Sequence, residues 1–381
     1  MTQLEKALAL HEQWRGKLTV ESKVKVDSRE QLALAYTPGV AEPCKKIRDN
    51  RDDVYTYTMK GNTVAVVTDG TAVLGLGDIG PEAGLPVMEG KAVLFKEFAG
   101  VDAFPICLAT KDTEEIIETV KRIAPGFGGI NLEDIAAPRC FEIERRLTEE
   151  LDIPVFHDDQ HGTAIVVLAA LINALRVTGK TKESVRVVVN GAGSAGIAIS
   201  KLLLADGFAD VTLCDRAGIL EAGMPGINWA QEEMIPLTNP RGLKGGLADA
   251  MRGADVFVGV SAPGIVTAEM AASMNQDAIC FAMANPVPEI MPDVAKAAGV
   301  RIVGTGRSDF PNQINNVLVF PGLFKGALKA RTKITNAMKL RAAYAIADLI
   351  PKEELSEECI IAQPFDPRVP EAVAQAVMSE A

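Results

Sequence analysis

Val185-Arg186-Val187-Val188-Val189-Asn190-Gly191-Ala192-Gly193-Ser194-Ala195-Gly196 is the stretch whose reading decides the fold. Val185–Val189 reads as a buried strand and enters the glycine turn without a spacer. An apolar helical stretch, Ile197–Ala205, follows, and a second strand, Asp210–Cys214, ends at Asp215. A lone GxGxxG string is weak evidence. Set between a strand and a helix, with an acid about twenty residues on, it specifies a cradle for a dinucleotide pyrophosphate. Gly191 permits the tight turn, Gly193 lets the backbone approach the phosphates, and Gly196 lets helix and sheet pack closely. Ala192, Ser194 and Ala195 complete the turn, and unpaired N–H groups at the helix N-terminus face the anion. The alternative, a purely structural glycine turn, has no need of this context. Asp215 would hydrogen-bond the adenosine ribose and repel a 2′-phosphate, favouring NAD, whereas Arg216 beside it would grip that phosphate and favour NADP.

Outward from this unit, short β-branched runs alternate with helical stretches on both sides, the pattern of α/β units around parallel sheets. Before it the expected strands are Thr63–Thr68, Ala103–Leu108, Gly129–Leu132 and Ile153–Phe156, with helices over Val87–Phe98, Thr113–Ile123, Arg139–Leu151 and Thr163–Val177. After it come strands Asp255–Val260, Ala278–Met283 and Arg301–Gly304. Gly218–Pro240 reads as an excursion, Gly326–Leu349 as a helical closure, and the Pro-dotted tail after Ile361 as lying on the surface or against the first domain. The polar turn Thr178–Ser184 is the expected hinge.

At 381 residues two domains are the natural expectation, and the apolar fraction of 48% is that of an ordinary globular core. A formal charge of −11 argues against a general nucleic-acid or anionic-membrane binder, and any anionic substrate must be held by local cations. The six cysteines are dispersed without a CxxC pair, which fits reduced thiols and a cytoplasmic location. The N-terminal stretch is amphipathic but lacks an apolar signal core, and no run reads as transmembrane in length.

Two acid pairs follow strands: Asn131-Leu132-Glu133-Asp134 and His157-Asp158-Asp159-Gln160. Ligands of open α/β sheets bind at the carboxyl ends of strands, so both pairs are expected to converge there. Clustered carboxylates repel one another unless a cation sits among them, and all-oxygen ligation suits Mg2+ or Mn2+. The plain alternative is that Asp134 and Asp159 are helix caps. His157 and His161 have a spacing that can bind zinc on a helix, but a strand-to-helix switch between them would break that geometry, so structural hydrogen bonds are expected of both.

At these residues the chain resembles the malic enzyme family in its short bacterial form. The likeness rests on Tyr36-Thr37-Pro38-Gly39-Val40-Ala41, Leu74–Gly80, Pro86–Lys91, Asn131–Asp134, Phe156–Thr163, Gly191–Gly196, Ala284-Asn285-Pro286 and Asn315–Gly322. It implies oxidative decarboxylation of L-malate to pyruvate with NAD or NADP and a divalent cation. Tyr36 matches the general acid, Lys91 the general base, Asp158 an aspartate assisting that base, and Glu133, Asp134 and Asp159 the metal ligands. Asn285 and Asn315, with Asn316 second, match asparagines that hold substrate or nicotinamide.

One departure is clear. Large family members carry a carboxylate-clamping arginine where this chain has Ala72, so Asn285, Asn315 or backbone N–H groups of Gly75–Gly80 must substitute. The expected fold is therefore α/β in two domains: residues 1–160 a parallel-sheet unit with acid, base and metal ligands, 161–330 a Rossmann-type doubly wound NAD(P) unit, and 331–381 a helical closure. Such enzymes are homo-oligomers, most often dimers, and the amphipathic N-terminal helix is a candidate contact. A lysine acts as base at neutral pH only if burial or a nearby cation lowers its pKa. Taken singly, Lys91 would be a solvated helix lysine and Tyr36 a packing aromatic. A malolactic enzyme yielding lactate and a catalytically silent NAD sensor are the competing functions; the sensor has no use for two acid pairs and a lysine at strand ends.

Overall fold

The computed structural model describes residues 2–73 and 75–381; Leu74, within one of the family-like stretches, lies outside the described residues. Two sheets form where the β-branched runs lie. The first has the order β2-β1-β3-β4, from β1 (Thr63–Thr68), β2 (Asp102–Cys107), β3 (Gly129–Leu132) and β4 (Val155–His157), and all its pairs are parallel. The second has the order β10-β9-β8-β5-β6-β7, from β5 (Arg186–Asn190), β6 (Asp210–Asp215), β7 (Gly218–Ile219), β8 (Val256–Gly259), β9 (Ile279–Ala282) and β10 (Ile302–Thr305). Only β7 runs antiparallel, extending the β6 edge by two residues. The order reverses between β5 and β8, both paired in parallel, and the glycine turn opens at that switch point.

Between the sheets runs one long helix, Asp158–Thr178, which differs from expectation in where it begins. Asp158, Asp159 and Gly162 are poor helix formers, so the sequence suggests a start near Thr163. Two acids in a first turn are, however, favoured by the helix dipole, and burial of every residue from Ala164 to Leu175 supplies the rest. At 21 residues this helix is long and apolar enough to cross a membrane, contrary to the expectation that no run is. It is instead the core helix: 72% of its most apolar window is buried inside the protein.

The functional boundary at 160/161 falls within that helix's first turn. Nor is Thr178–Ser184 the edge of a separate core, because one apolar cluster includes Val64 and Phe95 of the first unit, Ile165 and Leu168 of the central helix, and Val187 and Phe281 of the second. The closing region is two helices, Phe320–Ala330 and Asn336–Ala347. The Pro-dotted tail holds a third, Arg368–Met378, with Pro370 in the first turn, where a missing N–H costs little. It packs flush on Phe320–Ala330, since a Cβ at Gly322 would lie 2.6 Å from the Pro370 carbonyl and one at Gly326 2.7 Å from that of Ala374.

Candidate active site

Lys91 lies on helix Pro81–Ala99, which begins six residues earlier than its apolar pattern suggests because Pro81 at the first position is compatible with a helix. The loop before it is tied down: Ile79 and Gly80 N–H both donate to Gly70 O at 3.1 Å, and Val73 N–H to Gly77 O at 3.0 Å. A Cβ on Gly70 would stand 2.2 Å from the Gly80 oxygen, so the crossing itself requires glycine. The Ala72 N–H donates to Asp134 O at 2.9 Å, joining this loop to the end of β3. Arg139 clamps the same corner, reaching Asp69 Oδ2 at 2.5 Å and Thr71 Oγ1 at 3.0 Å.

The lysine is buried, 7% exposed, and far from a solvated helix lysine. Its Nζ donates to Asp158 Oδ2 at 2.5 Å, lies 2.9 Å from Glu133 Oε1, and stands 4.0 Å from the centre of the Phe320 ring. Asn131 Nδ2 holds the other Glu133 oxygen at 2.9 Å, and Asn316 Nδ2 donates to Asp158 Oδ2 at 2.5 Å. Gly162 makes room, since a Cβ there would stand 1.9 Å from Asp158 Oδ1. Burial pulls the Lys91 pKa down, but the charges of Asp158 and then Glu133 outweigh it and hold the ammonium above the usual lysine range. Burial alone therefore does not make Lys91 a base, contrary to one arm of the expectation; a cation drawing on these carboxylates is the remaining lever.

Glu133, Asp134 and Asp159 each offer an oxygen, and the three oxygens lie within 4.8 Å of one another. Asp134 takes φ 54, and its N–H donates to Asp159 Oδ2 at 2.8 Å, which turns the end of β3 toward the first turn of the central helix. Neither acid caps a helix: the helices beginning at Arg139 and Asp158 have no side-chain cap bond. Burial first, opposed by Lys91, pushes Glu133 up to about 7 and Asp159 to about 6, with a neighbouring carboxylate adding to each. Hard oxygen donors crowded together, Glu133 and Asp134 buried and Asp159 partly open to water, fit a divalent cation of the Mg2+ or Mn2+ kind. His161 turns away to Glu144, Nε2 to Oε2 2.8 Å. His157 is held neutral by burial, its pKa lowered to about 4.

The glycine turn opens onto a cavity of about 1110 Å³ lined by Gly191, Ala192, Gly193, Asp215, Arg216 and Gln231 among others. Gly191 is at φ 107 with Val260 O 2.5 Å from where a Cβ would be, and a Cβ on Gly196 would stand 1.8 Å from Gly191 O. A Cβ on Gly193 would meet nothing within 4 Å, so open space lies above it. Ser194, Ala195 and Gly196 form the first turn of helix Ser194–Asp206. Asp215 Oδ1 accepts from the Arg216 N–H at 2.9 Å and Oδ2 from Gln231 Nε2 at 2.5 Å, while the same Nε2 reaches Ala192 O at 3.1 Å. Sequence reasoning missed Gln231. It lies on a short helix capped by Asn228 inside the excursion, and no spacing rule points from there to Asp215.

Across the cleft, a Cβ on Gly75 would come within 2.9 Å of Asn285 O, so the loop of the first unit touches the Asn285 segment of the second. Asn315 Oδ1 caps a short turn at Val317 N, 2.9 Å; of that asparagine pair, Asn316 is the one bonded to Asp158. Tyr36 is not brought to the cluster. It ends helix Arg29–Ala35 and is 66% exposed.

Residues 15–148 match the family model described as the malic enzyme N-terminal domain, and residues 160–381 the malic enzyme NAD binding domain. The chain belongs to the malic enzyme family. It is 60% identical over 383 residues to the bifunctional malic/malolactic enzyme of Bacillus subtilis (strain 168), covering 100% of this chain and 93% of that relative. It is 59% identical over 367 residues to the NAD-dependent malic enzyme of Geobacillus stearothermophilus, covering 96% and 77%. Among solved structures, the NAD-dependent malic enzyme of Thermotoga maritima superposes with a TM-score of 0.95 at 52% identity, 98% of each chain being covered. This malic enzyme is accordingly an oxidoreductase that decarboxylates malate oxidatively with reduction of NAD(P), and its acidic cluster is suited to Mg2+ or Mn2+.

Proposed function

We propose that L-malate is converted to pyruvate and CO2 with Lys91 as base, Asp158 as its partner, Tyr36 as acid, and Glu133, Asp134 and Asp159 as metal ligands. The observation that carries this reading is the position of Lys91 Nζ, in ion-pair contact at once with Asp158 and with one member of the three-carboxylate cluster. Glu133, Asp134 and Asp159 would hold a divalent cation, which would supply Lewis acidity toward the substrate. Lys91, having yielded its proton toward Asp158, takes up the C2 hydroxyl proton as hydride leaves C2 for the nicotinamide. The C3–C4 bond then breaks, CO2 departs, and its electron pair enters the enolate. Lys91 protonates the oxygen and withdraws that proton again as Tyr36 protonates C3, giving pyruvate. Asn285 and Asn315 would hold substrate or nicotinamide, and Asn316 holds Asp158 in place. Several N–H groups of the 70–80 loop are spent within it, so the asparagines take the larger share of the carboxylate that Ala72 cannot grip.

The experiment is a steady-state assay with L-malate, each cofactor and each metal, after chelation. Chelated enzyme is expected to be inactive and to recover with Mn2+ or Mg2+. Asp159→Asn keeps shape but removes charge, and should raise the metal requirement by at least the ~10–100-fold typical of lost outer-shell support. Titration at the wild-type metal concentration would remove Asp159 from the ligand set.

NAD is the favoured cofactor in this reading. The Asp215 carboxylate is fixed by two hydrogen bonds at the cavity wall, whereas Arg216 is exposed. Asp215→Ser should shift the kcat/KM ratio toward NADP by roughly tenfold, the effect of about 1.4 kcal/mol of relieved repulsion. A wild type that already prefers NADP would give the site to Arg216.

The functional protein is a homodimer in which Tyr36 serves the partner's cleft. Helices Gln3–Trp14, Arg29–Ala35 and Ala41–Asp49 contain no buried residue, and Leu4, Leu8, Trp14, Val20 and Leu34 are all exposed in the single chain. So much apolar surface on one segment is the mark of an interface. Its location is the cytoplasm, supported by six free cysteines. A second reading, malolactic turnover, is favoured by the name of the Bacillus relative; chromatographic detection of lactate without net cofactor reduction would establish it.

A further inference from the structure

A second cavity, about 730 Å³, lies behind the first turn of the central helix and shares no lining residue with the cavity of the glycine turn. One wall is apolar: Ile197 and Leu202 of the helix after the glycine turn, Ile334, and the ring pair Phe141–Trp229, whose centres are 6.1 Å apart at 78°. The opposite side carries charge, most of it already matched. Arg145 bonds both Glu142 and Glu149, Glu144 is taken by His161, and Lys201 lies 3.6 Å from Glu233. Two donors remain. Gln160, 3% exposed, has a buried Nε2 with no hydrogen-bond partner. Lys339 has no hydrogen bond or ion pair to its ammonium among the described residues, and burial lowers its pKa although the charge of Glu144 opposes this.

A buried amide donor and a half-buried ammonium in a cavity that also holds an aromatic pair are costly unless something accepts from them. Water can serve the polar end but not the apolar one. We propose that this cavity is a binding site for a small aromatic monocarboxylate, its carboxylate accepting from Lys339 and Gln160 and its ring lying against Trp229, Ile197 and Ile334. The site is separate from both malate and dinucleotide sites, and the assignment does not rest on the catalytic reading. A neutral carboxamide offers one accepting oxygen and no charge, so it should bind more weakly.

The test uses the full-length protein and 4-(trifluoromethyl)benzoate, followed by its fluorine NMR signal in the presence of saturating NAD and malate. Saturable binding is expected, weakened about tenfold by Lys339→Met, severalfold by Trp229→Ala, and severalfold on replacing the probe by the matching benzamide. Trp229 is at the surface, so its variant keeps the test available should Lys339→Met fail to fold. Three results would overturn the proposal: no saturable binding up to on the order of 10 mM, wild-type affinity in a folded variant, or binding seen only when malate and NAD are left out.

Discussion

Tyr36→Phe is expected to slow pyruvate formation by on the order of 10²–10⁴-fold while retaining most of the reduction of added oxaloacetate. The two reactions share the proton transfer at the C2 oxygen and the hydride transfer, and differ in whether C3 must be protonated. Lys91 stands at the carboxylate cluster where the C2 oxygen would be held, so Lys91→Ala should damage both reactions. That variant also leaves Asp158 and Glu133 buried without their cation, and removing one partner of a buried pair commonly costs several kcal/mol. A measurement of dinucleotide affinity must therefore accompany it: the glycine turn lies on the other sheet and should bind normally. Loss of both activities in Tyr36→Phe to the extent seen in Lys91→Ala would end the division of labour, and loss of dinucleotide binding in Lys91→Ala would mark the lysine as structural.

Mixing the same two inactive proteins should restore activity. If Tyr36 reaches the partner's cleft, a dimer with one Lys91→Ala chain and one Tyr36→Phe chain has one cleft with both residues intact and one with neither. Random exchange makes half the dimers mixed, and half the clefts in those are complete, so recovery should approach about a quarter of wild-type activity. The exposed apolar row from Leu4 to Leu34 is the surface that would hold such a pair together. No recovery after demonstrated subunit exchange would return Tyr36 to its own chain, and would require the segment around it to move onto the cluster.

What could be read from the sequence, and what could not, divides along physical lines. Nine of the ten strands were visible where valine and isoleucine runs are buried on both faces, as in Val187–Val189 and Val64–Val67, whereas the two-residue β7 lies inside the stretch read as an excursion. The acid pairs could be placed because strand ends are where parallel sheets present their ligands. Helix starts were less legible. The first turn at Asp158 is built from residues with little intrinsic preference for helix, and only burial of the following turns decides it. Long-range pairings such as Gln231 with Asp215, or the choice of Asn316 over Asn315 for Asp158, depend on how a turn is rotated in space. The burial of Lys91 between two carboxylates is of the same kind: the spacing of residues 91, 133 and 158 along the chain says nothing of their charge balance.

The central helix has a further meaning for how the molecule can be taken apart. Its first turn carries Asp158 and Asp159, the proposed partner of the base and one proposed metal ligand, and its remaining length is core for both sheets. A division of labour between two halves is thus not a division into self-sufficient modules. A chain cut near residue 160 would leave Asp158 and Asp159 at the loose end of the first half, without the helix that holds them, and the second half with an apolar rod facing water. Chimeras between relatives that join at such a point would inherit a mismatched seam along the whole helix, whereas a join in the exposed turn that follows it, at 179–184, would keep the helix with the first unit in one piece.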